Sequence, residues 1–337
     1  MLRLPPYTYH RPRTLREAVE LLAEHGREAM PIAGGTDLVP NMKHRLFTPT
    51  HLVALKGIPE LGGIDLRAHD EGGWELTIGA GESLASVAGN VEVRRHLPAL
   101  AKAAAHIAGP QHRNRGTIGG NLCLDTRCTY YNQSEFWREA LGYCLKKEGT
   151  VCHVTKVGAK CVAAHSADTP PVLMTVDAEV RIQGVDGVRT VAVQDFFVAD
   201  GIRNSVREPG EILTTIRVPP DRLRSAGVRT GYAKLRERES IDFPLLTVAV
   251  SGQFDDEERV TALAGVVTGL GSRPKSLTRW EELALGRSLD NEVVHALSAR
   301  AHQQCSPLEN QIVDPEWRKA MVPVMVKRAL GDLRSGS

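Results

Sequence analysis

The placement of the cysteines is the feature that most constrains how this sequence can be organised. Five of the six cysteines lie between Cys123 and Cys161, and the sixth is Cys305. The first residues show no apolar stretch behind a basic one, so a secretory signal is not predicted and a disulfide framework is not expected. The cysteine segment, defined here as residues 123–165, therefore favours metal binding over covalent cross-linking.

The spacing of these cysteines bears on the kind of metal. Structural zinc sites favour short Cys-x2-4-Cys knuckles, which are missing among Cys128, Cys144, Cys152 and Cys161, so zinc is disfavoured although it stays open. Four thiolates on polar loops suit an iron–sulfur cluster, which is larger than a single ion. Cys123 follows Gly-Gly-Asn-Leu at the predicted start of a buried element and is interpreted as a core thiol. The structural alternative is that all five are ordinary buried cysteines.

Composition bounds the class of protein. The 337 residues suggest two domains, and 42% hydrophobic with 24% charged residues is ordinary for a soluble globular chain. A net charge of +2 gives no sign of a nucleic-acid partner, and no apolar run is long enough to span a bilayer. We expect a cytoplasmic protein with no nucleic-acid or membrane partner.

Local patterns predict several elements. Thr14 and Glu17 fit a capping box before an amphipathic helix that Gly26 ends, and a short buried strand, MPIA, follows. Later helices are predicted over residues 82–88, 91–107, 278–285, 291–304 and 315–330, with a domain boundary near residue 222.

Two separated glycine-rich turns are candidates for phosphate binding. One is Ala33-Gly34-Gly35-Thr36-Asp37-Leu38, and the other contains Thr117, Gly119, Gly120 and Asn121. Glycines let a backbone approach an anion closely, and successive amides can bind its oxygens. Neither turn matches the Rossmann fingerprint or the P-loop, so a dinucleotide would need another fold. The alternative for each is an ordinary Gly-Gly turn, but two such turns suit one extended ligand.

Five motifs carry a resemblance to a known family. In order they are IAGGTDL, RGTIGGNL, SADTPPVLMTVDAEV, GEILTTIRVP and YAKLRERESIDFPLLTVAV, and over nearly the whole chain they resemble the FAD-binding medium subunit of the molybdenum hydroxylase (xanthine dehydrogenase) family. In typical members the Ser-x-Asp-x-x-Pro motif soon follows GGN, whereas the cysteine segment separates them here. Such an insertion, and the phrase DTRCTYYNQSEFWR, are similar to the beta subunit of 4-hydroxybenzoyl-CoA reductase, where the insertion holds a 4Fe-4S cluster.

The resemblance implies an α+β fold with two domains. Residues 1–222 would form an FAD-binding domain of the vanillyl-alcohol-oxidase or PCMH type, with subdomains at about 1–57 and 58–222 and the iron-sulfur insertion at about 123–165. Residues 223–337 would form a small α+β C-terminal domain containing a three-stranded sheet plus helices.

The resemblance also assigns cofactor roles to individual residues. The implied FAD ligands are Ala33, Gly34, Gly35, Thr36, Asp37 and Leu38 at the pyrophosphate, Thr117, Gly119, Gly120 and Asn121 as a second wall, Asp168 at the ribityl or ribose hydroxyls, and Tyr232 and Lys234 from the last domain. From its sequence context alone, Asp168 would be a turn or helix cap before Pro170. The implied 4Fe-4S ligands are Cys128, Cys144, Cys152 and Cys161, the set that cysteine spacing favours.

The implied function is electron transfer, and no catalytic residue is assigned because the organic substrate would bind to another subunit. The chain would join a large molybdopterin subunit and a small 2Fe-2S subunit in a dimerised heterotrimer. Electrons from a ferredoxin-like donor would pass through the 4Fe-4S cluster, FAD and the 2Fe-2S centres to molybdenum. There a phenolic hydroxyl is removed reductively during degradation of aromatic compounds. The alternatives are the flavoprotein subunit of an aldehyde or N-heterocycle oxidoreductase, a zinc-stabilised binding protein without redox role, and a free-standing FAD oxidase.

Overall fold

The first subdomain is a small parallel sheet with helices between its strands. A computed structural model describes residues 2–69, 73–156, 159–224 and 227–334. The subdomain contains β1 (Thr8–His10), α1 (Leu15–His25), β2 (Ala29–Ile32), α2 (Leu38–Lys43) and β3 (His51–Ala54), with the strand order β1-β3-β2. Thr14 caps α1 by accepting the amide N–H of Glu17, and Gly26 ends it at a φ of 53°, as the sequence predicts.

The second subdomain is built on a five-stranded antiparallel sheet with the order β4-β5-β8-β6-β7. Its strands are β4 (Ile64–Ala68), β5 (Trp74–Gly79), β6 (Glu179–Gly184), β7 (Gly187–Ala192) and β8 (Ile212–Val218). Its helices are α3 (Leu84–Gly89), α4 (Val91–His96), α5 (Pro98–Ala105), α6 (Pro110–Arg113), α7 (Ile118–Leu122), α8 (Glu135–Ala140), α9 (Pro170–Thr175) and α10 (Val193–Phe196). The single helix predicted over residues 91–107 is two, because Pro98 has no amide to continue α4 and instead begins α5.

The C-terminal domain is a second antiparallel sheet followed by helices. Its elements are β9 (Arg229–Leu235), β10 (Leu246–Phe254), β11 (Val260–Thr268), β12 (Lys275–Ser276), α11 (Asn291–Gln304), α12 (Pro315–Ala320) and α13 (Val322–Arg334). The sheet expected to have three strands has a fourth, since β12 pairs with the end of β11. The helix expected over residues 278–285 is only a 3-10 turn, Glu281–Leu283. The helix expected over 315–330 is broken at Met321, where Pro323 has no amide for the carbonyl of Lys319.

The two domains share a hydrophobic core. Helices α5 and α9 cover one face of the C-terminal sheet and α11 and α13 pack on its other side, so Tyr232, Ala249 and Val266 belong to the same core as the five-stranded sheet. Among the described residues, no helix is long and apolar enough to cross a bilayer.

The cysteine segment lies between α7 and α9 and is mostly irregular. Its described part includes α8 and three non-glycine residues with positive φ: Tyr143, Glu148 and Lys156. The fully buried Arg138 donates hydrogen bonds to the carbonyl oxygens of Gln133 at 2.5 Å and His44 at 2.9 Å. Arg138 therefore ties the segment to the first subdomain.

Candidate functional site

A cavity of about 630 Å³ lies between the two glycine-rich turns. It is lined by every residue of the first turn, Ala33 to Leu38, and by Thr117, Gly119, Gly120 and Asn121 of the second. This volume falls within the usual range of cofactor and ligand sites. The structure therefore brings the two sequence-predicted turns together around one space.

The first turn is shaped for close approach and has unused donors. A Cβ on Gly34 would lie 1.9 Å from the carbonyl oxygen of Arg115, and Gly35 has a φ of 71°. Within the described part of the chain, no backbone amide of residues 33–38 donates a hydrogen bond to the protein. These amides remain available to an anionic oxygen, which fits the pyrophosphate role expected for this turn.

The second turn was expected to present its amides to a phosphate, but the amides of its two glycines already have partners in the protein. The amide of Gly119 donates to the carbonyl oxygen of Ala80 at 2.9 Å, and that of Gly120 donates to Thr117 Oγ1 at 3.0 Å. Both glycines belong to α7, which Thr117 caps. This turn therefore forms a wall of the cavity but does not offer these two amides to a phosphate.

Asp168 reaches the cavity from a buried position and is held from the C-terminal domain. Its carboxylate accepts hydrogen bonds from the Tyr232 hydroxyl at 2.7 Å and the Lys234 ammonium at 3.1 Å. Burial raises the pKa of Asp168, and Lys234 and Tyr232 act in the opposite direction. Tyr232 and Lys234 are not among the residues that line the cavity; both contact Asp168, and their approach to the flavin stays a prediction. Both are positioning residues for that carboxylate.

Asn121 organises the same wall. Its side-chain oxygen accepts hydrogen bonds from the Thr169 amide at 3.1 Å and hydroxyl at 2.7 Å. This contact joins α7 to the residues just before α9, and it holds Asp168 in place beside the cavity. The amide of Asn121 is occupied by the carbonyl oxygen of Thr117.

Sequence reasoning missed Arg127, which lines the cavity. Its guanidinium pairs with Asp37 in the first turn and lies 4.5 Å from the ring centre of Phe243. Burial lowers the pKa of Arg127 to about 10, and its buried Nε has no partner in the described structure. The sequence feature that could have identified Arg127 is its position next to Cys128, but nothing in the sequence showed that it would pair with Asp37.

A second, small cavity is lined by Cys128, Cys144, Cys152 and Cys161. These are the four cysteines that the sequence analysis selected. The other two lie elsewhere: Cys123 lines the large cavity and packs against the main core, and Cys305 is buried in the core of the C-terminal domain.

The pKa values of three of these thiols, Cys128, Cys152 and Cys161, are shifted by burial, neighbouring cysteines and nearby amides. Burial raises the pKa of Cys128 to about 11, the proximity of Cys161 and Cys144 adds to this rise, and the amides of Tyr130 and Tyr131 oppose it. For Cys152 burial also favours a higher pKa, but hydrogen bonds from Thr155, Val154 and Val162 outweigh it and the pKa is lowered. The Ala163 amide donates to Cys161 Sγ at 3.4 Å.

The distances between these sulfurs bear on whether the site is preformed for a single metal ion. A tetrahedral zinc ion with Zn–S bonds of 2.3 Å holds its sulfurs about 3.8 Å apart. Across the described chain, no three of these cysteine sulfurs lie within 4.8 Å of one another. The four sulfurs of the described chain are therefore not already arranged at the spacing of a bound zinc ion.

Lys146 connects the two cavities. Its buried ammonium donates to Asp125 Oδ1 at 2.6 Å and the Gly201 carbonyl oxygen at 2.7 Å, and it lies 4.5 Å from the ring centre of Tyr131. Asp125 lines the large cavity and Lys146 lines the small one. Because Asp125 and Cys128 are also close in sequence, one short stretch of chain serves both sites.

The parallel and antiparallel subdomains, with unused amides in the cavity between them, define a dinucleotide-binding domain of the PCMH type. Residues 5–221 match the family model described as the FAD binding domain in molybdopterin dehydrogenase, and residues 231–333 match the CO dehydrogenase flavoprotein C-terminal domain. The chain belongs to the FAD-binding medium subunits of the molybdenum hydroxylase family. It is an oxidoreductase subunit whose cofactor is FAD.

Similar proteins come from several members of this family. The carbon monoxide dehydrogenase medium chain of Afipia carboxidovorans is 30% identical, covering 96% of this chain and 95% of the relative. The aldehyde oxidoreductase FAD-binding subunit of Escherichia coli is 34% identical, covering 77% of this chain and 81% of the relative. A solved structure of carbon monoxide dehydrogenase from Hydrogenophaga pseudoflava superposes with a TM-score of 0.77 at 30% identity and 99% coverage of both chains.

Proposed function

We propose that this chain is an electron-transfer subunit that binds a 4Fe-4S cluster in addition to FAD, and that it serves a complex most similar to 4-hydroxybenzoyl-CoA reductase. The cluster ligands are Cys128, Cys144, Cys152 and Cys161. The observation that supports this most directly is their arrangement around one cavity, with no three of the described sulfurs within 4.8 Å of one another. The zinc-stabilised alternative is correspondingly weakened.

The protein supplies the environment of both groups. FAD exchanges electrons singly or in pairs and an iron–sulfur cluster exchanges them one at a time, so together they suit a relay. In this proposal the amides of residues 33–38 bind the pyrophosphate, while Asp168 accepts hydrogen bonds from FAD hydroxyls. The amides that already face Cys128, Cys152 and Cys161 stabilise their thiolates and tune the cluster potential.

The ammonium of Lys146 adds a positive charge near the four sulfurs. It acts to lower the pKa of Cys161, which burial otherwise raises. A buried cation at this position favours additional negative charge on a cluster and therefore its reduced form. Lys146 also fixes Asp125 at the wall of the flavin cavity, so it positions groups on both sides of the relay.

The proposed partners are a large molybdopterin subunit and a small 2Fe-2S subunit in a dimerised heterotrimer, with a ferredoxin-like donor. The relatives support an assembly of this kind, because those reported above are named as a medium chain and an FAD-binding subunit. Electrons would enter at the cysteine site and leave through FAD toward molybdenum, where a phenolic hydroxyl is removed. Cytoplasmic location remains a prediction.

A second candidate is the flavoprotein subunit of an oxidative enzyme, such as an aldehyde or N-heterocycle oxidoreductase. The identity to the aldehyde oxidoreductase subunit favours this reading. Both candidates use the same FAD site, and they differ in whether reducing equivalents enter or leave at this subunit. Co-purification of the partner subunits and assay of the complex with aldehydes, N-heterocycles and aryl-CoA thioesters separates them.

The decisive experiment is the metal content of anaerobically purified protein. We expect about four iron and four acid-labile sulfide per FAD, the stoichiometry of a cubane cluster. Cys144→Ser and Cys161→Ser should lose the cluster absorbance while FAD remains bound. Cys123→Ser and Cys305→Ser are matched controls, because both residues are cysteines outside the four-cysteine cavity.

Two results would contradict the cluster assignment. One is a full complement of iron and sulfide in both ligand variants. The other is zinc, without sulfide, in the wild-type protein. Either would leave the FAD-binding assignment intact, since that assignment rests on the family match and on the large cavity.

A further inference from the structure

Three histidines meet at the first subdomain, away from both cavities. His10 is the last residue of β1, His25 is the last residue of α1, and His51 is the first residue of β3. All three are partly buried, and none lines the FAD cavity or the four-cysteine cavity. His51 is level with Ala29 at the start of β2, whereas the phosphate-binding turn follows the end of β2. His51 therefore lies at the opposite end of the parallel sheet from the first glycine-rich turn, and His10, two positions further along β1, reaches back to His51.

The imidazoles are close enough to share one ligand. Nε2 of His10 lies 2.9 Å from Nδ1 of His51, and the ring centres of His25 and His51 are 3.7 Å apart. The ring of His10 lies 5.1 Å from that of His25 and 5.2 Å from that of His51. One nitrogen from each ring can be chosen so that all three lie within 4.8 Å of one another.

These distances are close to those of a metal site. Two nitrogens bound to one tetrahedral zinc ion at 2.0–2.1 Å lie about 3.4 Å apart. The rings of His25 and His51 are stacked at an interplanar angle of 10°, so binding one ion requires one of these rings to rotate toward the other two nitrogens. Glu24 precedes His25 on α1, and its carboxylate interacts electrostatically with His10, so negative charge is already present beside the site.

We propose that His10, His25 and His51 form a binding site for a divalent transition-metal ion of the zinc type, with water at the remaining position. Imidazole nitrogen is a preferred ligand of zinc, copper and nickel, whereas magnesium and calcium require oxygen ligands. The three ligands come from three different elements of the first subdomain. A bound ion therefore cross-links the edge strand β1, helix α1 and strand β3.

The proposed role is structural. Strand β1 has only three residues and pairs on one side with β3. A short edge strand has few contacts of its own, so an ion that joins it to α1 stabilises the support of the FAD-binding turn. This inference does not depend on the cluster or on the partner subunits.

Cobalt(II) is the probe that distinguishes this site from the cysteines. Bound to imidazoles it gives weak visible d–d bands, whereas bound thiolates add a strong sulfur-to-metal charge-transfer band. On FAD-loaded, chelator-treated protein we expect one equivalent of Co²⁺ without that charge-transfer band, displaced by Zn²⁺. His51→Gln and His25→Ala should each weaken binding by at least the roughly tenfold that loss of an outer-shell partner costs at metal sites.

His295→Ala is the matched control, since His295 is exposed on α11 and should leave Co²⁺ binding unchanged. Zn²⁺ should also raise the melting temperature of the wild-type protein but not that of His51→Gln, whose FAD content verifies that it has folded. Absence of binding, thiolate charge transfer alone, or wild-type affinity in both histidine variants would overturn the proposal.

Discussion

Removal of the Lys234 charge should destabilise the protein strongly, because it leaves Asp168 buried without its cation. The Lys234 and Asp168 side chains are only 1% and 4% exposed, and their charged atoms lie 3.1 Å apart. Breaking a buried pair by removing one partner costs about 3–5 kcal/mol. Lys234→Met keeps most of the side-chain volume, so we expect a loss of this size in the free energy of unfolding, measured by urea denaturation.

The double variant isolates the cause. In Asp168→Asn combined with Lys234→Met no charge is buried, and the amide oxygen of Asn can still accept the Tyr232 hydroxyl. Replacing both partners of a buried pair is often nearly neutral, so the double variant should recover most of the stability lost in Lys234→Met. Arg16→Met is the control, because both side chains of the Arg16–Glu20 pair are exposed and the loss of such a pair costs little.

The pH dependence has a definite sign. Burial raises the pKa of Asp168, and without Lys234 this pKa rises further. A carboxyl whose pKa is higher in the folded than in the unfolded protein lowers the free energy of unfolding when it is ionised. This loss is complete above the folded-state pKa, and it disappears as the pH falls to the unfolded-state pKa of about 3.9. The deficit of Lys234→Met should therefore shrink on acidification. A loss below about 1 kcal/mol at pH 7, typical of exposed pairs, or a deficit that grows at acidic pH would refute this reasoning.

Two glycine substitutions test the two cavities separately. Gly34→Ala should abolish FAD binding, because its Cβ would lie 1.9 Å from the Arg115 carbonyl oxygen. Gly89→Ala is the control: its Cβ meets no atom within 4 Å, so it should stabilise α3 by about 0.5–1 kcal/mol. FAD content measures the first effect and urea denaturation the second, and normal FAD content in Gly34→Ala would contradict the geometry. Gly201→Ala would place its Cβ 2.6 Å from Cys161 Sγ, so it should lower iron and sulfide content while FAD stays bound, and an unchanged iron-to-flavin ratio would contradict that expectation.

Local signals in the sequence identified features that depend on nearby residues. The Thr14 cap and the Gly26 end of α1 follow from hydrogen bonds and backbone conformation within a few positions, and both are confirmed. The close approach at Gly34 was likewise expected of a glycine-rich turn after a strand. The break at Pro98 was missed because apolar spacing continues across the proline, although its missing amide could have revealed it.

Contacts between residues far apart in sequence could not be predicted from such local patterns. The glycines of the second turn resemble those of the first in sequence, yet Ala80 in the tertiary structure takes up the amide of Gly119. Arg127 and Asp37 are far apart in sequence, and their ion pair depends on how the cysteine segment returns to the first subdomain. The family resemblance pointed to Tyr232 and Lys234, but their contact with Asp168 is set by the register of β9 in the C-terminal sheet.

The cysteine segment depends on few packing interactions of its own. The small hydrophobic cluster around it contains Leu46, Tyr131 and Cys144, with Phe47 and Cys128 packed against it, so two of its five members are proposed cluster ligands. A core of this size cannot offset the conformational entropy of ordering a mostly irregular segment. The polar anchors Arg138 and Lys146 fix two positions, whereas among the described residues around Cys152 no comparable buried cation is found. Metal–sulfur bonds would supply the missing free energy there, because ligand binding at a site that the unfolded chain lacks contributes directly to folding. In the proposed function the cluster is therefore both an electron carrier and the centre around which this segment folds.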